Sequence, residues 1–150
     1  GVEEVTCHRR HSDQGQRIEG SHDGYDRNFG FVHKRVVVLA EDGLQLRGLD
    51  TLLPGAGAEK KAKKGAWPFA IRFHLPPDVE ADVRPDGKSA ILRTGSGAVW
   101  VLRATDGRLR VEDSLWVDPR GLPRSSWQIV IDGEVGPGGM SSGWLLKYGG

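Results

Sequence analysis

The chain has 150 residues, with 21 Lys and Arg against 20 Asp and Glu and a formal net charge of +1. That length suits one domain, whose folding buries roughly 70 % of the unfolded surface, so a core forms without staples. The balanced charge argues against a nucleic-acid footprint. The single cysteine, Cys7, excludes an internal disulfide framework and a cysteine-based zinc site, and no apolar run approaches the roughly 18 residues of a membrane helix.

The chain opens on Gly1-Val2-Glu3-Glu4, with no initiator methionine and without the basic-then-apolar order of a signal peptide. It is expected to be a piece of a longer polypeptide. Its 22 glycines are scattered among β-branched and aromatic residues, a composition of short strands joined by turns.

Val2 to Arg9 reads as a first strand, closed by the loop Ser12-Asp13-Gln14-Gly15. Gln16 to His22 is a second, with Ile18, Gly20 and His22 on one face. Tyr25 to Phe29 is a connection. Phe31 to Ala40 and Leu44 to Leu53 form a hairpin about Asp42-Gly43, a pair that favours a tight type I′ turn with positive φ at both central residues. Alternation puts Phe31, His33, Arg35, Val37 and Leu39 on one face and Val32, Lys34, Val36 and Val38 on the other. Both faces are partly apolar, as in an inner strand.

Residues 54–65 (PGAGAEKKAKKG) lack any apolar period and read as a flexible Lys-rich loop. Trp67 to Leu75 alternates cleanly, with Trp67, Phe69, Ile71, Phe73 and Leu75 inward and Pro68, Ala70, Arg72 and His74 outward. Val79 to Arg84 and Lys88 to Arg93 flank Asp86-Gly87, and Val99 to Ala104 and Leu109 to Val117 flank Asp106-Gly107. In the last of these, Leu109, Val111, Leu115 and Val117 share a face opposite Arg108, Arg110, Glu112 and Ser114. Pro119 to Pro123 is a loop. Trp127 to Ile131 and Trp144 to Tyr148 are the last strands, separated by the glycine-rich Gly133 to Gly143. About ten or eleven short strands, frequent turns and no helical period predict an all-β fold, an antiparallel β-sandwich of stacked sheets, as a single domain over residues 1–150.

Several residue groups carry possible chemistry. His8 and His11 are three apart, a metal-ligand spacing on a helix, but a strand turns them to opposite faces. His22, Asp23 and Tyr25 contain the elements of a proton-transfer set; the plainer reading is a strand end followed by an Asp-Gly turn. His33 and Arg35 share a face where a cation could hold a carboxylate or sulfate. The plainer reading pairs them with an acidic neighbour such as Asp50 across the hairpin. Lys60, Lys61, Lys63 and Lys64 could rim a groove for an anionic polymer or form a solvated loop. No nucleophile elbow, phosphate loop or metal signature is present.

The run Ser21-His22-Asp23-Gly24-Tyr25, then Phe29-Gly30, His33-Lys34-Arg35, Asp42-Gly43 and Leu46 to Asp50, resembles the C-terminal β region of the heparinase II/III-like polysaccharide lyases. The resemblance continues through Pro68 to Leu75 and Trp127 to Ile131, and covers the chain from about residue 16. It implies a β-sandwich that follows an N-terminal helical toroid in a longer lyase, acting on an acidic polysaccharide by β-elimination. In that reaction the uronate carboxylate is neutralised, a base removes the C5 proton and an acid protonates the leaving O4. The family's tyrosine and one histidine come from the toroid, and a further histidine from an earlier β strand. None of those motifs is present here, so the resemblance implies no catalytic residue in this chain. It implies groove-lining or substrate-binding positions at His22, Tyr25, His33 and Arg35. It also implies no cofactor in this region, room for a divalent metal in the longer enzyme, and a cell-envelope or periplasmic setting. The alternative is a stand-alone carbohydrate-binding or interaction β-sandwich.

Overall fold

The computed structural model describes residues 5–12, 15–22, 31–54, 67–136 and 138–150, with backbone alone for 5–12, 15–22, 31, 54 and 67. The described strands are β1 (Val5–Ser12), β2 (Gly15–His22), β3 (Phe31–Ala40), β4 (Gln45–Pro54), β5 (Trp67–His74), β6 (Glu80–Val83), β7 (Ser89–Arg93), β8 (Val99–Ala104), β9 (Arg108–Val117), β10 (Pro123–Val135) and β11 (Met140–Tyr148). No helix occurs among the described residues, so the fold is all-β as the alternation predicts. Tyr25, the turn before it and the four lysines of the 54–65 loop lie outside the described residues.

The chain falls into two compact units, Gly1–Pro68 with Glu134–Trp144, and Phe69–Gly133 with Leu145–Gly150. In the first, the hydrogen-bonded order is β1-β2-β3-β4-β11. The pairings of β1 with β2, β2 with β3 and β3 with β4 are antiparallel. β3 is an inner strand, which explains why both its faces carry apolar residues. Register aligns the predicted faces across three strands: Ile18, Val37 and Gly48 share one rung, Gly20, Arg35 and Asp50 the next, and His22, His33 and Leu52 the third.

In the second unit one sheet runs β11-β8-β7-β6 and another β5-β10-β9. β10 lies between two partners, and its Ile129, Val130 and Ile131 are fully buried. Each such side chain contributes about 1.5–3 kcal/mol relative to exposure. On β5, Ile71 is buried, as is Leu75 just beyond it, while Pro68, Ala70, Arg72 and His74 are exposed, as the alternation requires.

Several sequence expectations change. β1 runs on to Ser12, which pairs with Gly15 of β2, where the sequence predicts a loop. β10 is longer than Trp127 to Ile131, because Pro123 to Ser126 pair with Val117 to Ser114 of β9. Pro123 is tolerated because it is the first residue of the strand, where no ladder donor is needed. The glycine-rich Gly133 to Gly143 stretch is largely strand, and a Cβ on Gly133 would overlap the Phe69 ring, so here glycine admits an aromatic neighbour. Finally, the Asp42-Gly43 turn is not type I′. No described non-glycine residue has positive φ, while Gly43 sits at 72°. The Gly43 amide donates to the Ala40 carbonyl at 2.9 Å and the Leu44 amide to the Asp42 carboxylate at 2.9 Å. Because Asp42 takes up that amide with its own side chain, only the following glycine enters the left-handed region.

Candidate functional site

Asp50 of β4 is the centre of the polar cluster in the first unit. It lies directly opposite Arg35 of β3 and is only 3 % exposed. Its Oδ1 accepts from Arg35 Nε at 2.7 Å and lies 2.6 Å from His33 Nε2. Its Oδ2 accepts from Trp144 Nε1 of β11 at 3.0 Å. Strand alternation produces the first two contacts: His33 and Arg35 are two apart on one face, and the neighbouring strand presents Asp50 opposite Arg35 and diagonal to His33. Gly48 produces the third. A Cβ there would overlap the indole of Trp144, so the missing side chain lets the ring lie across β4 and reach the carboxylate.

Burial acts to raise the Asp50 carboxyl. The hydrogen bonds from His33 and Arg35, the Arg35 charge and the Trp144 bond outweigh it and hold the group below its ordinary value. Asp50 therefore stays ionised, and it orients the two side chains that reach solvent, His33 at 20 % exposure and Arg35 at 38 %. The cluster presents an imidazole and a guanidinium beside one another, an arrangement able to hold a carboxylate or sulfate group.

The expected pairing of Arg35 with Asp50 is what the structure shows. His22 is brought opposite His33 by register. Sequence reasoning named Asp50 only as a counter-charge, and it missed Gly48 and Trp144 altogether. Trp144 lies 94 residues beyond Asp50, and no local pattern signals such a contact. Among the described residues no group of three or more His, Cys, Asp or Glu is placed to hold a metal ion. His8 and His11 both lie on the strand β1.

A second polar network crosses the β5-β10-β9 sheet of the other unit. Glu112 accepts from Arg72, Arg110 and Gln128, and Arg110 also binds Asp132. The charged groups are part-exposed while Gln128 is buried, and Arg110 and Arg72 hold the Glu112 carboxyl below its ordinary value. Each cation in it faces an acid on a neighbouring position, as cross-strand pairs do.

A model of the family described as "Heparinase II/III-like, C-terminal" matches residues 2–145. Among curated proteins, the chain is 38 % identical over 133 residues to FtsZ-localized protein C of Caulobacter vibrioides (strain NA1000 / CB15N), covering 86 % of this chain and 23 % of that protein. Among solved structures, it superposes on the heparan sulfate lyase HepC from Pedobacter heparinus with a TM-score of 0.76 and 9 % identity, over 97 % of this chain and 22 % of the lyase. Heparinase III gives a TM-score of 0.71 at 10 % identity, over 96 % and 21 %. The chain thus spans about a quarter or less of the length of these relatives. The likeness to the lyases is one of fold, an antiparallel β-sandwich.

Proposed function

Because the chain belongs to the heparinase II/III-like family, as that family's C-terminal region, we propose that it is the non-catalytic β portion of a larger lyase. That lyase would cleave uronate-containing polysaccharide by β-elimination in the cell envelope or periplasm. This portion would line the substrate cleft beside an N-terminal helical toroid. The observation that carries the reading is the Asp50 cluster, in which a buried carboxylate holds Arg35 and His33 side by side, each partly open to solvent. Such a pair can contact an acidic sugar but supplies no complete set of base, acid and carboxylate neutraliser.

The test is to incubate this chain, and the longer protein containing it, with heparan sulfate, alginate and polygalacturonate. Unsaturated uronate is expected from the longer protein only. Binding to one of the polymers is expected for the chain and is lost in Arg35→Ala, with urea unfolding run alongside to show that the variant folds. Product release by the chain alone, or binding that ignores Arg35, would overturn the reading.

A second reading is supported by the identities themselves. The chain is 38 % identical to a protein named for its localisation with FtsZ, but only 9–10 % identical to the lyases. On this reading the β-sandwich is an interaction module of a protein that localises with FtsZ, and the fold is retained without the lyase chemistry. A fluorescent fusion that co-localises with FtsZ, together with no binding to any acidic polymer, would favour it over the first.

A further inference from the structure

The β9–β10 hairpin carries a feature that the Asp50 cluster does not explain. A shallow cleft of about 590 Å³ is lined by Asp113, Ser114, Leu115, Ser125, Ser126 and Trp127. Its volume falls in the range of small-ligand sites, roughly 300–1,000 Å³. The antiparallel register pairs Trp127 with Asp113 and Ser125 with Leu115, and the rung of Ser126 and Ser114 lies between them. Alternation therefore sets Trp127, Asp113, Ser125 and Leu115 on one face of the hairpin. The two rungs are about 7 Å apart, twice the rise per residue of a strand, which is close to the width of one six-membered sugar ring.

The four positions form a checkerboard. Trp127 and Leu115 stand on one diagonal and Asp113 and Ser125 on the other. Leu115 is 68 % exposed and Trp127 43 %, and both polar residues are exposed. A surface meant for another apolar surface would not place a carboxylate beside its indole, because covering that charge without a partner is costly. A pyranose is amphipathic in the same way, with an apolar face of C–H groups and a polar edge of hydroxyls. Its flat face can lie on the indole while its hydroxyls donate to Asp113 and exchange hydrogen bonds with Ser125. Charge sets the class of sugar. Asp113 is the only charged side chain among the six, and among the described residues no cation lines the cleft. Arg110 and its partner Glu112, which also binds Arg72, lie on the opposite face of β9. A uronate or sulfated residue would meet an unopposed carboxylate here.

We propose that the Trp127–Asp113 cleft is a binding site for an uncharged pyranoside, separate from any contact with acidic glycan at Arg35 and His33. It uses none of the Asp50 cluster, so it stands whether or not the longer protein is a lyase.

The experiment is calorimetric titration of the whole protein with cellohexaose, maltohexaose and chitotriose as uncharged probes and with heparan sulfate and alginate oligosaccharides as acidic ones. At least one uncharged probe is expected to bind. Trp127→Ala should weaken that binding about tenfold, the loss of one aromatic contact, and Trp127→Phe should recover part of it. Asp113→Ala should weaken the same probe, while Arg35→Ala leaves it unchanged. Far-ultraviolet circular dichroism and urea midpoints show that the variants fold. The proposal fails if no uncharged probe binds, if binding is indifferent to Trp127 and Asp113, or if the acidic probes are the ones lost in Trp127→Ala. It also fails if light scattering finds a dimer that Trp127→Ala dissociates, since the face would then belong to a second copy of the chain.

Discussion

The indole Nε1 of Trp144 donates a 3.0 Å hydrogen bond to Oδ2 of Asp50 across 94 residues of sequence. Asp50 also serves Arg35 and His33 through its other oxygen. One carboxylate thus ties together β3, β4 and β11, and the solvent-facing pair depends on a residue that solvent scarcely touches.

Removing that carboxylate takes away a buried group that Arg35, His33 and Trp144 share. Asp50→Ala should destabilise the protein by about 3 kcal/mol, the range for breaking one side of a buried pair. Arg35→Ala should cost about 1 kcal/mol or less, because Arg35 is 38 % exposed and water screens its charge. Urea denaturation of the two variants gives the comparison, and equal losses would contradict the role assigned to Asp50.

The same residue sets an acid limit. The Asp50 carboxyl is held below its ordinary value in the folded protein, so the unfolded chain binds its proton more readily. Its stabilising contribution is complete above the unfolded value, about 3.9, and is lost as pH falls through the lower folded value. Urea midpoints measured from pH 5 down to pH 2 should therefore fall more steeply for the parent sequence than for Asp50→Asn.

Gly48 and Trp144 should behave as a pair. Gly48→Ala places a methyl group within the indole and should be strongly destabilising, since overpacking of this kind costs about 1–3 kcal/mol or more. Trp144→Ala should cost about 3–5 kcal/mol. The double variant should lose clearly less than the sum, because shortening Trp144 makes room for the methyl group. Strict additivity in a double-mutant cycle would show that the two residues do not meet.

Two residues of the β9–β10 hairpin should respond in opposite ways to truncation. Ile129 is fully buried and Leu115 is 68 % exposed. Ile129→Ala should cost about 2–5 kcal/mol, whereas Leu115→Ser should change thermal stability by less than about 0.5 kcal/mol. Melting curves of the two variants decide it.

Glycine turns give a further contrast. Gly43 and Gly107 both have positive φ, at 72° and 81°. A Cβ on Gly43 meets nothing within 4 Å, whereas one on Gly107 overlaps the Asp132 carbonyl oxygen. Gly43→Ala should cost about 1–2 kcal/mol, the strain of a left-handed residue, and Gly107→Ala should cost visibly more by the same urea assay.

Much of this protein was legible in its alternation. Phe31–Ala40 and Val99–Ala104 coincide with observed strands, and the outward set Pro68, Ala70, Arg72 and His74 is exposed. A period of two depends on neighbours in sequence, so sequence alone determines which residues share a face. It also determined the Arg35–Asp50 pair, because a hairpin fixes its own register through its turn. What covers a face depends on strand order, which is a long-range property. Leu109 and Leu115 share a face of β9, yet the first is buried and the second is 68 % exposed; the alternation is the same and only the packing above it differs. Likewise the demand for glycine at position 48 comes from an indole 96 residues further along the chain, and only tertiary structure brings it there.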